Sequence, residues 1–312
     1  MAMINWVLPG FYLFAGVNTL LIQAMDIYPE RFKKGQQIAA FYGCFPGVKW
    51  NGGRTVPGLP SMQVVRTSAE RIRRYTDIPM RLTYTNCCLD QQDLYDEYAN
   101  EVTDYMAGMN AEILINDMKL RNHIDEVWPN TFPYILSTTL GYDIHKLKGY
   151  IKSGEWKLVV ADYRDNPLML REDEMGEEDR FTDEEKPFVE ILVNETCSPQ
   201  CEYRKAHYEQ ISQEVKKHNM SINQCHYGIT GSPFFYALEH YDTCLTSEQV
   251  IQLSIKGYSW FKIAGRGMSE LDLIEAYVHY LVNDDVDDKN FIRYLLTRQS
   301  LREICQNEGV IV

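Results

Sequence analysis

Eight short runs of aliphatic and β-branched residues recur along this 312-residue chain, separated by stretches with helical spacing. The runs are Trp6–Leu8, Ile38–Tyr42, Arg81–Thr85, Glu112–Ile115, Tyr134–Ser137, Lys157–Val160, Val189–Val193 and Trp260–Ile263. Most are continuously apolar rather than alternating, which predicts strands buried on both faces of a parallel sheet. Between them, Ser68–Tyr75, Gln92–Ala107 and Ser269–Val282 carry apolar residues at steps of three and four. Ser269 suits an N-cap, and Asp272 favours the first turn that follows it. Strand and helix alternating eight times predict an α/β fold, a (β/α)8 barrel of the TIM type. The competing arrangement, an open doubly wound sheet, lacks its Gly-rich nucleotide fingerprint after the first strand. Residues 1–312 read as one barrel domain. Within it, 198–257 is expected to be a cysteine-bearing insertion over the mouth and 290–305 a C-terminal helix.

If the barrel closes, the residues after each strand converge on one face, where chemistry sits in this fold. Those residues are polar or reactive: Cys44 and Arg54, Asn86 with Cys87 and Cys88, Asn116 and Asp117, Thr138 and Thr139, Asp162 and Arg164, Asn194 and Glu195, Gly265 and Arg266. Asn116, Asp117 and Asp162 suit helix capping equally well. Arg54 and Arg266 suit bidentate recognition of a carboxylate or phosphate, and equally a structural ion pair.

Cys197 and Cys201 lie just behind the seventh strand, in NETCSPQC. With Cys225 and Cys244 they give four thiols from one long segment. That number fits an iron–sulfur cluster. Structural zinc more often uses two tight cysteine pairs, and the second pair is missing. Cys44, Cys87 and Cys88 also stand at expected tips and are alternative fourth ligands, whereas Cys305 reads as core. Unliganded core thiols remain the plain alternative. A thiol nucleophile, Cys197 with His207 or His226, has no family-specific signature here.

The net charge of −13 disfavours general nucleic-acid binding. The apolar runs are too short to span a membrane, and no secretory pattern is visible, so the cytoplasm is the expected compartment. The acid-rich stretch Glu172–Glu185 is expected to be a solvated connection, with docking of a basic protein partner as the alternative.

The blocks VEILVNETCSPQC and YSWFKIAGRG resemble the collagenase-like peptidase family U32, the second through Lys262-Ile263-Ala264-Gly265-Arg266. That resemblance implies a [4Fe–4S] cluster, held by Cys197, Cys201, Cys225 and Cys244 in that order. It also implies oxygen-independent hydroxylation of a small ring or a nucleobase. The first two cysteines stand closer here than in the usual family pattern, and the family's RNA-binding-type extension is not seen after the last strand. On this reading Glu195 and Asp162 handle protons and Arg266 holds an anionic group. Asn116, Asn194, Arg54 and Lys262 contact the substrate. Two other roles compete: a collagenase-like peptidase, for which no Ser–His–Asp set or HExxH helix is visible, and a non-catalytic subunit binding a protein partner or a second copy of itself.

Overall fold

The computed structural model describes residues 3–52, 58–218, 232–265 and 267–307, with side chains as far as Arg298. Its elements run β1 (Ile4–Pro9), α1 (Ala15–Ile27), β2 (Gln36–Gly43), α2 (Met62–Arg73), β3 (Met80–Tyr84), α3 (Glu97–Ala107), β4 (Ala111–Ile115), α4 (Met118–Val127), β5 (Tyr134–Leu136) and α5 (Ile144–Ser153). They continue with β6 (Leu158–Val160), α6 (Asn166–Leu170), β7 (Val189–Leu192), α7 (Arg204–Lys216), α8 (Pro233–His240), α9 (Ser247–Ile255), β8 (Trp260–Lys262), α10 (Glu270–Leu281) and α11 (Val286–Asn307). Each strand pairs in parallel with the next, and β8 returns to β1. The result is a closed (β/α)8 barrel, as the alternation predicts. All eight strands lie within two residues of their expected bounds.

Side-chain alternation divides each strand between two environments. On β3, Leu82 joins the main core under the helices, and the Tyr84 hydroxyl meets Thr103 of α3 at 2.7 Å. Arg81, one residue away, points into the barrel and is fully buried. There it pairs with Glu112 of β4 at 3.0 Å and with Glu190 of β7. Lys262 of β8 approaches the same Glu190 at 3.8 Å, and the exposed Lys157, just before β6, reaches Glu112 from the barrel's edge. Arg81, Glu112, Glu190 and Lys262 are the buried set. Charges this deep persist only when paired.

The helices depart from expectation in instructive ways. α2 begins six residues before Ser68, at Met62, because Val65, Ala69 and Ile72 continue its buried face backwards. The expected helix from Gln92 divides at Asp96, whose carboxylate accepts from the Ala99 N–H and starts α3 afresh. Ser269 and Asp272 form the expected capping box on α10. The C-terminal helix is longer than 290–305, and the Cys305 side chain lies outside the described ones.

The acid-rich stretch is solvated only in its middle. Glu172 is buried, bonded to the Lys186 ammonium at 2.8 Å and the Tyr258 hydroxyl at 2.8 Å. Glu185 is buried and accepts from the Thr182 N–H at 3.0 Å. The two ends therefore anchor the connection between β6 and β7, which corrects the picture of a uniformly exposed run. Among the described residues no helix is long and apolar enough to cross a membrane.

Candidate active site

The segment after β7 shapes the mouth. Asn194 is fully buried and clasps the backbone of β8: its Oδ1 accepts from the Ala264 N–H at 2.6 Å and its Nδ2 donates to the Ala264 carbonyl at 3.2 Å. This amide is committed to joining two strand tips, so the expected substrate contact becomes a structural peg. Beside it, Gly265 lies so close to β1 that a Cβ there would stand 2.7 Å from the Pro9 ring. The tips of β7, β8 and β1 are thereby drawn together.

Beyond Asn194 the chain turns on Glu195, whose Oε1 accepts from the N–H groups of Thr196 at 3.0 Å and Cys197 at 3.1 Å. Cys197 and Cys201 follow, both partly exposed. Burial, the Glu195 carboxylate and the neighbouring Cys201 push the Cys197 thiol up to about 11, against a hydrogen bond with Tyr163 and the charge of Arg204. Cys244 is buried behind this turn. Burial, with Glu195 adding to it, pushes its thiol up to about 12, against a hydrogen bond with Tyr280.

α7 then crosses the mouth. Thirteen residues of helix reach about 20 Å. At its start, Arg204 Nη1 meets Asp162 Oδ2 at the β6 tip, at 3.2 Å. Near its end, the Ser212 carbonyl accepts from Asn86 at the β3 tip, and the Ser212 hydroxyl accepts from the Cys87 N–H. Lys216 fastens the last turn to Asp93 at 2.5 Å and Asp90 at 3.0 Å. The insertion 198–257 thus begins with a strap over the barrel, while α9 packs beside α6 in the outer helix layer.

Beneath the strap is a cavity of about 440 Å³, counted with its open mouth, above the barrel interior. Lys262 and Tyr42 line it low down, and the Lys262 ammonium sits 4.0 Å from the Tyr42 ring centroid. Leu114, Val160, Leu192 and Ala264 give apolar wall. Ser137, Thr138, Thr139, Glu195 and Tyr208 give polar wall. The Thr138 Oγ1 is buried with no hydrogen-bond partner. Such an atom costs stability unless something fills it.

The expected site residues therefore separate. Glu195, Lys262, Cys197 and Cys201 belong to the β7–β8 side of the mouth, with Glu195 and Lys262 on the cavity wall. Asp162 is expected to handle protons, yet Arg164 grips it through Nε at 2.9 Å and Nη2 at 2.7 Å, and Arg204 adds a third guanidinium contact. Burial alone would raise its pKa, but these partners outweigh it and hold the carboxyl below the usual range. A carboxylate so held stays ionised and anchors the strap. Asn116 donates to the Thr85 carbonyl at 3.1 Å, with its own Oδ1 buried and unpartnered. Arg54, Arg266 and Cys225 lie outside the described residues.

Sequence reasoning passes over Tyr42, Arg204 and Tyr208, and over the interior trio of Arg81, Glu112 and Glu190. The trio does carry a signal. A lone charge inside an apolar strand run, as in VEILV or AEILI, marks a position that must find a buried counter-charge.

Among the described residues no three His, Cys, Asp or Glu side chains gather as a metal-binding group. Cys197 and Cys201 approach one another, but the described donors fall short of the four thiolates of a cluster. No chemical step is therefore derived through one. No protein-family model matches this chain, and no curated protein is significantly similar to it, so its assignment rests on the fold and the chemistry of the mouth.

Proposed function

We propose that this chain is an enzyme that takes a small organic molecule into the barrel-mouth cavity and acts on it at the β7 tip. One observation carries this reading: the segment after β7 sets the Glu195 carboxylate, with the Cys197 thiol next to it, on the wall of a cavity that the buried Lys262 also lines. Ligand sites at the C-terminal mouth are the habit of this fold. Glu195 is the group to exchange protons with a bound molecule, because it lines the cavity whereas Asp162 is locked by arginines. The strap α7 runs across the mouth from Asp162 to Asn86, which favours a small molecule over a long polymer such as denatured collagen.

The finer form of the proposal is a U32-like redox enzyme with an iron–sulfur cluster at this rim, active in oxygen-independent hydroxylation. Its support is that Cys197 lies near Glu195 of the cavity wall, with Cys201 beside it and Cys244 also near Glu195. Cys225 would have to complete the set. The test is iron and acid-labile sulfide in anaerobically purified protein. About four of each per chain would bear the cluster out. A colourless protein without iron, after anaerobic reconstitution, would leave only the coarser proposal.

A further inference from the structure

Two neighbouring thiols take no part in the chemistry proposed for the cavity. Cys87 Sγ and Cys88 Sγ lie 3.9 Å apart at the β3 tip, both partly exposed. α7 grips the Cys87–Cys88 peptide from both flanks. The Cys87 N–H donates to the Ser212 hydroxyl at 3.2 Å, and the Cys88 carbonyl accepts from the Lys216 ammonium at 2.9 Å. The thiols join the same contact. Cys87 Sγ meets the Ser212 hydroxyl, and the Cys88 S–H donates to the Glu209 carbonyl. A carbonyl only accepts, so that last bond requires the thiol hydrogen. Burial and the neighbouring Cys87 push the Cys88 thiol up, which keeps this hydrogen in place at neutral pH.

A disulfide between these two sulfurs undoes the contact in two ways. It removes the hydrogen that the Glu209 carbonyl accepts. It also draws the sulfurs from 3.9 Å to about 2.0 Å, which re-angles the peptide whose flanking N–H and C=O hold α7. Consecutive Cα atoms are about 3.8 Å apart, below the roughly 4.4–6.8 Å usual in disulfides. A bridge between neighbours is therefore strained and easily reduced, the labile kind that serves regulation rather than stability. We propose that Cys87 and Cys88 form a reversible dithiol site for low-molecular-weight disulfides, and that its oxidation unlatches the β3 end of the strap. One cysteine thiolate attacks the S–S bond of the small disulfide and expels a thiolate. The other cysteine thiolate then attacks the mixed disulfide and expels the second. Two protein thiols are oxidised, one small disulfide is reduced to two thiols, and the two protons pass to the leaving thiolates. Glu209 directly follows Tyr208, which lines the cavity, so the latch adjoins the wall of the mouth. The bridge involves no bound molecule, so the inference stands apart from the reading of the mouth and from any metal.

Peptide mass mapping and amide exchange, with oxidised glutathione as the probe, test it. After equilibration at neutral pH the tryptic peptide that holds Cys87 and Cys88 should be lighter by two hydrogens, and dithiothreitol should restore it. Amide exchange over Glu209–Lys216 should speed up by as much as about tenfold, the scale of one net hydrogen bond, with the Arg204 end of α7 unchanged. In Cys87→Ala/Cys88→Ala the oxidant should leave exchange as it was. Should that variant not fold, the two signals in the unaltered chain should rise together as the ratio of oxidised to reduced glutathione is raised. A peptide that keeps both thiols, or that carries glutathione in place of a bridge, would overturn the inference. So would a bridge with no change in α7 exchange, equal acceleration in the double variant, or two signals that respond at different ratios.

Discussion

β3 and β7 stand four places apart in either direction around the barrel, and their sequences run in parallel. Each carries a buried charge low on the strand, Arg81 and Glu190, and these meet across the interior. Each ends in an asparagine that ties neighbouring backbone, Asn86 and Asn194. Each then presents a pair of cysteines, and all four thiols are partly exposed, so accessibility does not tell the pairs apart. Their partners do. Cys87 Sγ lies 3.3 Å from the Ser212 hydroxyl and Cys88 Sγ 3.7 Å from the Glu209 carbonyl, both on α7. Cys197 instead lies beside Glu195, which lines the cavity. The same residue type at the same kind of position becomes a docking contact on one side and a candidate reactive group on the other. What decides is the element that covers it.

The interior link between the two strands gives the largest expected effect. Glu190→Ala leaves Arg81 and Lys262 without their shared carboxylate and should cost about 3–5 kcal/mol in urea unfolding. A loss below about 1 kcal/mol, the scale of an exposed pair, would break the claim that the strands are joined there.

An intermediate effect should appear at alkaline pH on the β7 side. The Cys197 thiol lies at about 11 in the folded chain against an ordinary 9.0, so folding favours its protonated form. Its contribution is complete below pH 9 and fades as pH rises through 11. Unfolding free energy followed across that window should fall, and fall less in Cys197→Ala. In the same sense, Cys197 should alkylate more slowly at neutral pH than an unstructured cysteine peptide. Equal rates would contradict its placement beside Glu195.

The smallest effect belongs to the β3 side. Lys216→Ala frees the last turn of α7 from Asp90 and Asp93, for about 1 kcal/mol or less. Amide exchange should speed up at that end of the helix and not at the Arg204 end. Uniform loosening of α7 would show that the strap is not latched separately at its two ends.

The barrel itself was legible in the sequence, since continuous apolar runs need cover on both faces and only a few folds provide it. Strand bounds followed from Val189–Val193 and its counterparts to within two residues. Helix starts were less legible. Asp96 caps a new helix inside an unbroken apolar rhythm, and that competition between rhythm and cap is decided by local hydrogen bonds. The site was legible as a set of tips but not as roles. Asn194 and Asp162 look like ligand-binding residues on the page, yet the fold turns one to Ala264 and surrounds the other with Arg164 and Arg204. Lys262 is the reverse case. Its place on the cavity wall follows from contacts with other strands, Glu190 of β7 at 3.8 Å and the Tyr42 ring of β2, which no local window contains.

The contrast between the two thiol pairs is tested most directly by iron content after anaerobic reconstitution of Cys197→Ala and Cys87→Ala, side by side with the unaltered chain. The account predicts loss of essentially all iron in Cys197→Ala, with the far-ultraviolet spectrum of a folded barrel, and full retention in Cys87→Ala. Full iron in Cys197→Ala together with its loss in Cys87→Ala would place the reactive side of the mouth at β3 and contradict the account.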